Sequence, residues 1–342
     1  MLLPLILSAC IYDTENLTGN NEDDNPIIPP TEDATHWALP SAETNSEYVL
    51  LARTFKWDTK EYEYVFLNKG VPNLAEGKEH FDVFLDRYEK DSNSQVKSIT
   101  TDSKYIVFEE YPNDNDSTIE VYEGENLIFS NTVSKEAYIL SEKDYGFDPN
   151  DYVASLTSIL RSGYGFYSYP AANAMIDILS TTGNLPIGIS SDCTMYIMVE
   201  WDYNLKDGKN LIYSYPDYEL IVTFELPYCE NGIFTDGVLL NQIVDEQHII
   251  YTIWDTATTY LLDLSNNTAV VIGHDLWNPI LSPDKSHFAY AIQSWNSTLG
   301  GFYILDMETQ ETCFFEAEGL GKNDILSIVG WVEKSDIMGI KK

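Results

Sequence analysis

The chain has 342 residues, of which 55 are acidic and 19 basic, giving a formal charge of -36. Phosphate binding runs on clustered Lys and Arg, so this balance excludes nucleic acid as a partner, and it disfavours docking on anionic lipid without an acyl anchor. A hydrophobic content of 44% and an aromatic content of 13% suffice for a large core, as one big β-domain or two smaller ones.

Residues 1–9 carry no charge and are too few for a membrane-spanning helix, which needs about 20 apolar residues. An apolar run closing on small residues is an export signal with a cleavage site, and the next residue is Cys10. The stretch LSAC resembles the lipobox of bacterial lipoproteins. The resemblance implies that Cys10 is diacylated, becomes the new N-terminus and holds the protein at a membrane of the cell envelope. The basic residue expected ahead of the apolar core is missing from Met1-Leu2-Leu3-Pro4, and a start codon further upstream would supply it. Ile11 stands where enteric lipoproteins kept at the inner membrane have Asp, which leans the assignment toward the outer membrane or a periplasm-facing site.

Residues 10–35 contain Asp13, Glu15, Glu22, Asp23, Asp24, Glu32 and Asp33, no Lys or Arg, and one aromatic, Tyr12. Such a segment cannot bury enough apolar surface to order itself, and its charges extend it. It reads as an acidic tether, followed by a folded body over 36–342. Beyond Cys10 the cysteines are Cys193, Cys229 and Cys313, which allow at most one disulfide, with Cys193 and Cys229 as the candidate pair.

In the body, short runs of Tyr, Val, Ile and Phe alternate with Asp, Asn, Gly and Pro clusters. One box, LSPDKSHFAYAI, recurs as KWDTKEYEYVFL, TTDSKYIVFEEY, GFDPNDYVASLTSI, SSDCTMYIMVEW, IVDEQHIIYTIW and WVEKSDIMGI. The turn carboxylates are Asp58, Asp102, Asp148, Asp192, Asp245, Asp284 and Glu333, spaced 39 to 53 residues apart. Each of the first six boxes is followed by a second strand signal: HFDVFLDRYEK, TIEVYEGENL, NAMIDILSTTGN, NLIYSYPDYEL, YLLDLSNNTAVV and FYILDMETQET. About four strands per unit at this period is the pattern of a β-propeller blade, because one four-stranded sheet cannot cover its own two apolar faces. The expectation is an all-β propeller of seven blades, or six. The last box has only two strands, and residues 36–54 are expected to share its sheet, closing the ring with strands from both ends of the chain. YVASLTSIL is assigned to strand by its place in the repeat. The competing architectures are an open β-solenoid and a pair of sandwiches.

The segment LSPDKSHFAYA resembles the WD40-like repeat of TolB-type propellers, and the other boxes are degenerate versions without the Pro-Asp pair. The resemblance implies export and a scaffold that binds protein, not chemistry.

No G-x-S-x-G, H-E-x-x-H, C-x-x-C or Gly-rich phosphate loop is present. The five histidines are scattered, although His248 and His287 share one repeat position. No cofactor is expected. If calcium binds at all, the acid-rich loops YPNDNDST and WDYNLKDGKN are its candidates. The turn carboxylates serve the repeat as caps. At the end of the second strand, Tyr111, Trp201 and Trp254 hold one register and Trp295 lies two residues later, with Asp202 and Asp255 beside two of them. In a propeller these positions reach the mouth of the ring and would form an apolar platform edged with acid, suited to a protein or sugar partner. The alternative, that the rings pack between blades, stays open.

The expected protein is a monomeric, lipid-anchored envelope component whose propeller binds a protein or glycan without catalysis. The rival is a carbohydrate-active lyase or hydrolase on the same scaffold. For that rival, neutral glycans suit the negative chain better than uronate polymers.

Overall fold

A hydroxyl, a carboxylate and a left-handed residue make the turn on which most blades are built. The computed structural model describes residues 48–68, 73–90, 94–134, 151–161, 168–202, 207–229, 232–235, 237–293, 300–317, 320–321 and 323–334. Asp284 Oδ1 accepts from Ser282 Oγ (2.7 Å), Ser286 Oγ (2.7 Å) and the Ser286 amide (3.1 Å). Asp192 does the same with Ser190 Oγ (2.6 Å) and the Thr194 amide (3.1 Å), and Asp102 with Thr100 Oγ1 (2.6 Å) and the Lys104 amide (3.0 Å). The residue after each carboxylate has positive φ: Ser103 at 53°, Cys193 at 57° and Lys285 at 59°. The side chain replaces a backbone partner and fixes the reversal.

Among the described residues these turns organise a β-propeller of five blades, not seven or six. Blade 2 comprises β3 (Gln95–Ile99), β4 (Tyr105–Glu110), β5 (Asp116–Glu123) and β6 (Asn126–Ser134). Blade 3 comprises β7 (Gly188–Ile189), β8 (Met195–Asp202), β9 (Asp207–Ser214) and β10 (Leu220–Phe224). Blade 4 comprises β11 (Val238–Asp245), β12 (His248–Ile253), β13 (Thr258–Asp263) and β14 (Thr268–His274). Blade 5 comprises β15 (Trp277–Leu281), β16 (His287–Gln293), β17 (Gly300–Asp306) and β18 (Thr312–Glu316). All four sheets are antiparallel meanders. Blade 1 has three strands in the order β19 (Ile325–Glu333), β1 (Tyr48–Lys56), β2 (Glu61–Leu67). Here the expected closure between distant parts of the chain is present, running from Tyr48 opposite Glu333 to Phe55 opposite Ile325.

Two findings account for the lower blade count. The boxes around Asp58 and Glu333 fall in one sheet, since β1, β2 and β19 are neighbours. The box around Asp148 forms no strand where it is described. YVASLTSIL, assigned above to strand, is helix α2 (Tyr152–Arg161), and NAMIDILSTTGN falls on α3 (Tyr169–Thr182). Their burial has helical spacing: Leu156, Ile159 and Leu160 on one, Ala171, Ala174, Met175 and Ile178 on the other. Ser168 caps α3 by accepting from the Ala171 amide (3.4 Å), Pro170 stands in its first turn, and Gly183 at φ 74° ends it. The pair is wedged between blades 2 and 3, burying α2 and α3 against Val107, Ile119 and Val121 on one side and Ile178 against Tyr196 and Met198 on the other.

The second correction is HFDVFLDRYEK, which is not a strand but the body of α1 (Leu74–Asp86). Phe81, Phe84 and Leu85 bury on Tyr64, Phe66 and Phe108, and the helix lies along β2 so closely that a Cβ on Gly77 would meet the Phe66 carbonyl at 2.6 Å. It takes the side of blade 1 where the other blades have a fourth strand. Those outermost strands carry exposed apolar residues, namely Leu127 and Ile128, Leu220 and Ile221, Val270 and Val271, and Phe314.

The core is a ring of interblade layers, one each between blades 5 and 1, 1 and 2, 3 and 4, and 4 and 5. Gln242 on β11 stitches blade 4 to blade 5, accepting from the Leu281 amide (2.8 Å) and donating to its carbonyl (3.3 Å). Cross-strand tyrosines recur at one level of blades 3, 4 and 5: Tyr196 with Tyr213, Tyr251 with Tyr260, and Tyr290 with Tyr303. Cys193, Cys229 and Cys313 are free thiols, and burial pushes Cys193 and Cys229 up to about 11.

Tyr64 is 5% exposed and donates its hydroxyl to the Val96 carbonyl (3.2 Å). Burial pushes it up to about 12 against the pull of Arg53. A tyrosine raised above its unfolded value of about 10 contributes stability that is fully present below pH 10 and lost as pH climbs toward 12. The full loss is about 2.7 kcal/mol at 1.36 kcal/mol per unit. Urea midpoints should therefore fall between pH 9 and 11, with a smaller fall in Tyr64→Phe. Equal falls in both proteins would refute the assignment.

Candidate functional site

The loops that leave the second strand of each blade emerge at the ring end opposite the hydroxyl–carboxylate turns. Tyr111 follows β4 and is 42% exposed, while Trp201 near the end of β8 is 37% exposed. Trp254 opens a 3-10 turn over Trp254–Thr256, half-buried, with Asp255 exposed beside it. The three register-matched aromatics thus stand at one end of blades 2, 3 and 4. Trp295, Asp148 and Cys10 lie outside the described residues, and Asp202 is placed at the end of β8.

Each ring also has a packing role on one side. Trp201 lies across from Gly208, where a Cβ would meet its ring at 2.7 Å. Trp254 meets Trp277 edge-on, with centroids 5.9 Å apart. Burial and the neighbouring Glu109 carboxylate raise the Tyr111 hydroxyl well above its ordinary value.

Two aromatics at this end have no counterpart in the register argument. Trp57, 46% exposed, sits in the β1–β2 turn with the Lys60 ammonium 3.5 Å from its ring centroid. Asp324 fixes that turn by accepting from the Trp57 amide (2.9 Å) and pairing with Lys56 (3.2 Å). Trp277 begins β15. Asp58 belongs to the same turn as Trp57, so it lies at the opposite end of the ring from Asp102, Asp192, Asp245 and Asp284. Asp245 binds the Gln247 amide (2.8 Å), His248 Nδ1 (2.8 Å) and Lys285 of the next blade. Burial alone would raise Asp245, but Lys285 and the other donors hold it below its ordinary value.

A cluster of charge flanks Tyr111. Glu109 on β4 is 3% exposed. Its Oε2 pairs with Lys97 Nζ of β3 at 3.0 Å, and its Oε1 accepts from Arg161 Nε of α2 (3.3 Å) and Ser117 Oγ of β5 (2.6 Å). Burial acts to raise Glu109, yet Lys97, Ser117 and Arg161 together keep it below the usual carboxylate range. Arg53 of β1 donates from Nε to Ser327 Oγ (2.8 Å), and its guanidinium lies 4.9 Å from the Tyr62 ring centroid. Residues from 53 to 161 in sequence converge here, so no local pattern announces the group.

His248 and His287, alike in repeat position, are each engaged locally, the latter with Ser286 Oγ at 2.7 Å. In the YPNDNDST loop, Asn113 Oδ1 accepts from the Asn115 and Asp116 amides (2.8 and 3.0 Å). Among the described residues no group of three or more His, Cys, Asp or Glu is arranged to hold a metal ion, and no helix is long and apolar enough to cross a membrane.

No family model and no curated protein matches the chain. Similar solved structures include TolB from Acinetobacter baumannii, at 9% identity and a TM-score of 0.32 over 83% of this chain. The match spans 66% of the TolB chain's own length. An oligogalacturonate lyase in complex with manganese is similar at 11% identity and a TM-score of 0.28, over 80% of this chain and 74% of that one. The β-propeller domain of the Trilobed protease from Pyrococcus furiosus is similar at 9% identity and 0.24, over 66% and 58%. TolB and other β-propeller proteins are thus among the structural neighbours of a β-propeller chain, and the neighbours include enzymes.

Proposed function

We propose that the protein is a cell-envelope lipoprotein, anchored by lipid on Cys10 and held off the membrane by the acidic tether, whose propeller is a non-catalytic scaffold for an envelope protein. The observation that carries this reading is the row of partly exposed aromatics, Trp57, Tyr111, Trp201 and Trp254, at one end of four blades. Aromatic anchors supply large contact area at low entropic cost and are enriched where partners bind.

The test is crosslinking mass spectrometry on intact cells carrying the tagged full chain, beside a Trp201→Ala/Trp254→Ala variant. The wild type should trap one recurrent envelope protein at this end of the ring. The variant should melt cooperatively, lose less than about 2 kcal/mol and no longer trap the partner. Collapse of stability would assign both rings to the core. Glycan turnover by the purified protein would replace the scaffold reading with the enzymatic one. Cys10→Ser should release the protein from the membrane fraction.

A further inference from the structure

Sheet edges are ordinarily protected by charged side chains, which block pairing with another chain. The outermost strands of blades 2 to 5 contain one formally charged residue, Glu316, in a chain of which 22% is charged. One of these edges, β10 with the sequence LIVTF, also lies in a one-sided charge environment. From residue 210 to 284 the sequence has eleven Asp and Glu and no Lys or Arg. Among the described residues β10 pairs on one side only, with β9, and ends its sheet. Leu220 and Ile221 are 53% and 37% exposed, and a bulge leaves Ile221 without an opposite residue on β9. Bulges of this kind re-aim a side chain at the rim of a sheet. Asp217 and Glu219 precede the strand and Glu225 follows it, all exposed and, among the described residues, without an ion pair.

We propose that the β10 edge is a docking surface that takes an extended segment of another protein as a fifth strand of blade 3, and that this segment is apolar at its centre with Lys or Arg at its ends. The inference goes beyond the scaffold reading above and does not depend on the aromatic end of the ring. Main-chain hydrogen bonds to the edge supply affinity, and side chains set against Leu220 and Ile221 supply specificity. The carboxylates at both ends of the strand select the occupant, because they draw in basic ends and hold them opposite Glu219 and Glu225. A second copy of this chain brings carboxylates to carboxylates. The rival edge within the same anionic stretch is β14, where Val270 and Val271 are 48% and 37% exposed. There the carboxylate opposite its first residue, Asp263, is already engaged by Ser265 and Asn266.

The probes are three fluorescently labelled peptides, KVTVTVK, EVTVTVE and KVTPTVK, read by anisotropy against the full chain. The second reverses the charge of the ends, and the third carries a central proline that cannot donate to a strand ladder. KVTVTVK should bind, with the other two weaker by about tenfold or more. Raising sodium chloride from about 0.05 to about 0.3 M should weaken KVTVTVK severalfold. Leu220→Lys/Ile221→Lys places charge at two exposed edge positions and should weaken it about tenfold with the wild-type melting profile.

Hydrogen exchange on the wild-type chain reads the same contact without any substitution. KVTVTVK should slow the amides of residues 220–224 and leave those of 268–274 unchanged. Equal binding of the three peptides would reduce the effect to general attraction and overturn the proposal. So would protection of another rim in place of β10, or no binding of KVTVTVK at about 1 mM.

Discussion

A chain ending at Asp324, without β19, is expected to lose its cooperative thermal transition. β19 buries Leu326, Ile328, Val329, Trp331 and Val332, each 9% exposed or less. At roughly 1.5–3 kcal/mol per fully buried apolar side chain, the strand contributes roughly 7–15 kcal/mol. That is the size of the whole stability of a typical domain, about 5–15 kcal/mol. The strand is also the innermost of blade 1 and joins the core layers toward blades 5 and 2, so its loss opens the ring on both sides. Near-ultraviolet circular dichroism and limited proteolysis check the result. A synthetic 325–333 peptide added to the truncated chain should restore part of the transition. A truncated protein that melts cooperatively near the full-length temperature would show that closure is dispensable.

Replacing Glu109 by Ala is expected to destabilise the protein by about 3–5 kcal/mol, the usual cost of stranding buried charges. Lys97 and Arg161 lose the carboxylate between them, and Ser117 loses its acceptor. The double variant Glu109→Ala/Lys97→Met should recover part of the loss, because one stranded charge is gone. Urea denaturation measures both, and a cost below about 1 kcal/mol would dismiss the network as structural support. The pH dependence has a definite sign. Glu109 is held below its unfolded value of about 4.3, so its contribution is present above that pH and disappears as pH falls through the lower folded value. The wild type should therefore weaken with acid more steeply than Glu109→Ala.

The blades were legible in the sequence where a local device makes them. Ser282-Pro283-Asp284, Ser190-Ser191-Asp192 and Thr100-Thr101-Asp102 each place a hydroxyl two residues before the carboxylate, and each folds into the same turn. The Asp148 box has Gly146 in the hydroxyl position and leads into helix, a difference visible in its letters but outweighed by its place in the repeat. The spacing of Phe81, Phe84 and Leu85 likewise marks a helix that the expectation of a fourth strand concealed. The count failed at the closure for another reason: nothing near Asp58 or Glu333 says that the two share a sheet. Of the candidate site, the register of Tyr111, Trp201 and Trp254 was readable because each ends a second strand. The cation cluster was not, since it forms only when β1, β3, β4 and α2 are brought together.

The outer rims of the blades differ in what they offer a second copy of the chain. Among the described residues, blades 2 to 5 end in outermost strands paired on one side only, with exposed apolar side chains such as Leu220, Val270 and Phe314 on them. An open strand of this kind templates growth of a sheet from one molecule into the next. Blade 1 differs among the described residues, because α1 packs along its outer strand β2. The formal charge of -36 then has a second task beyond solubility: mutual repulsion keeps those rims apart even where many copies of the chain are crowded together.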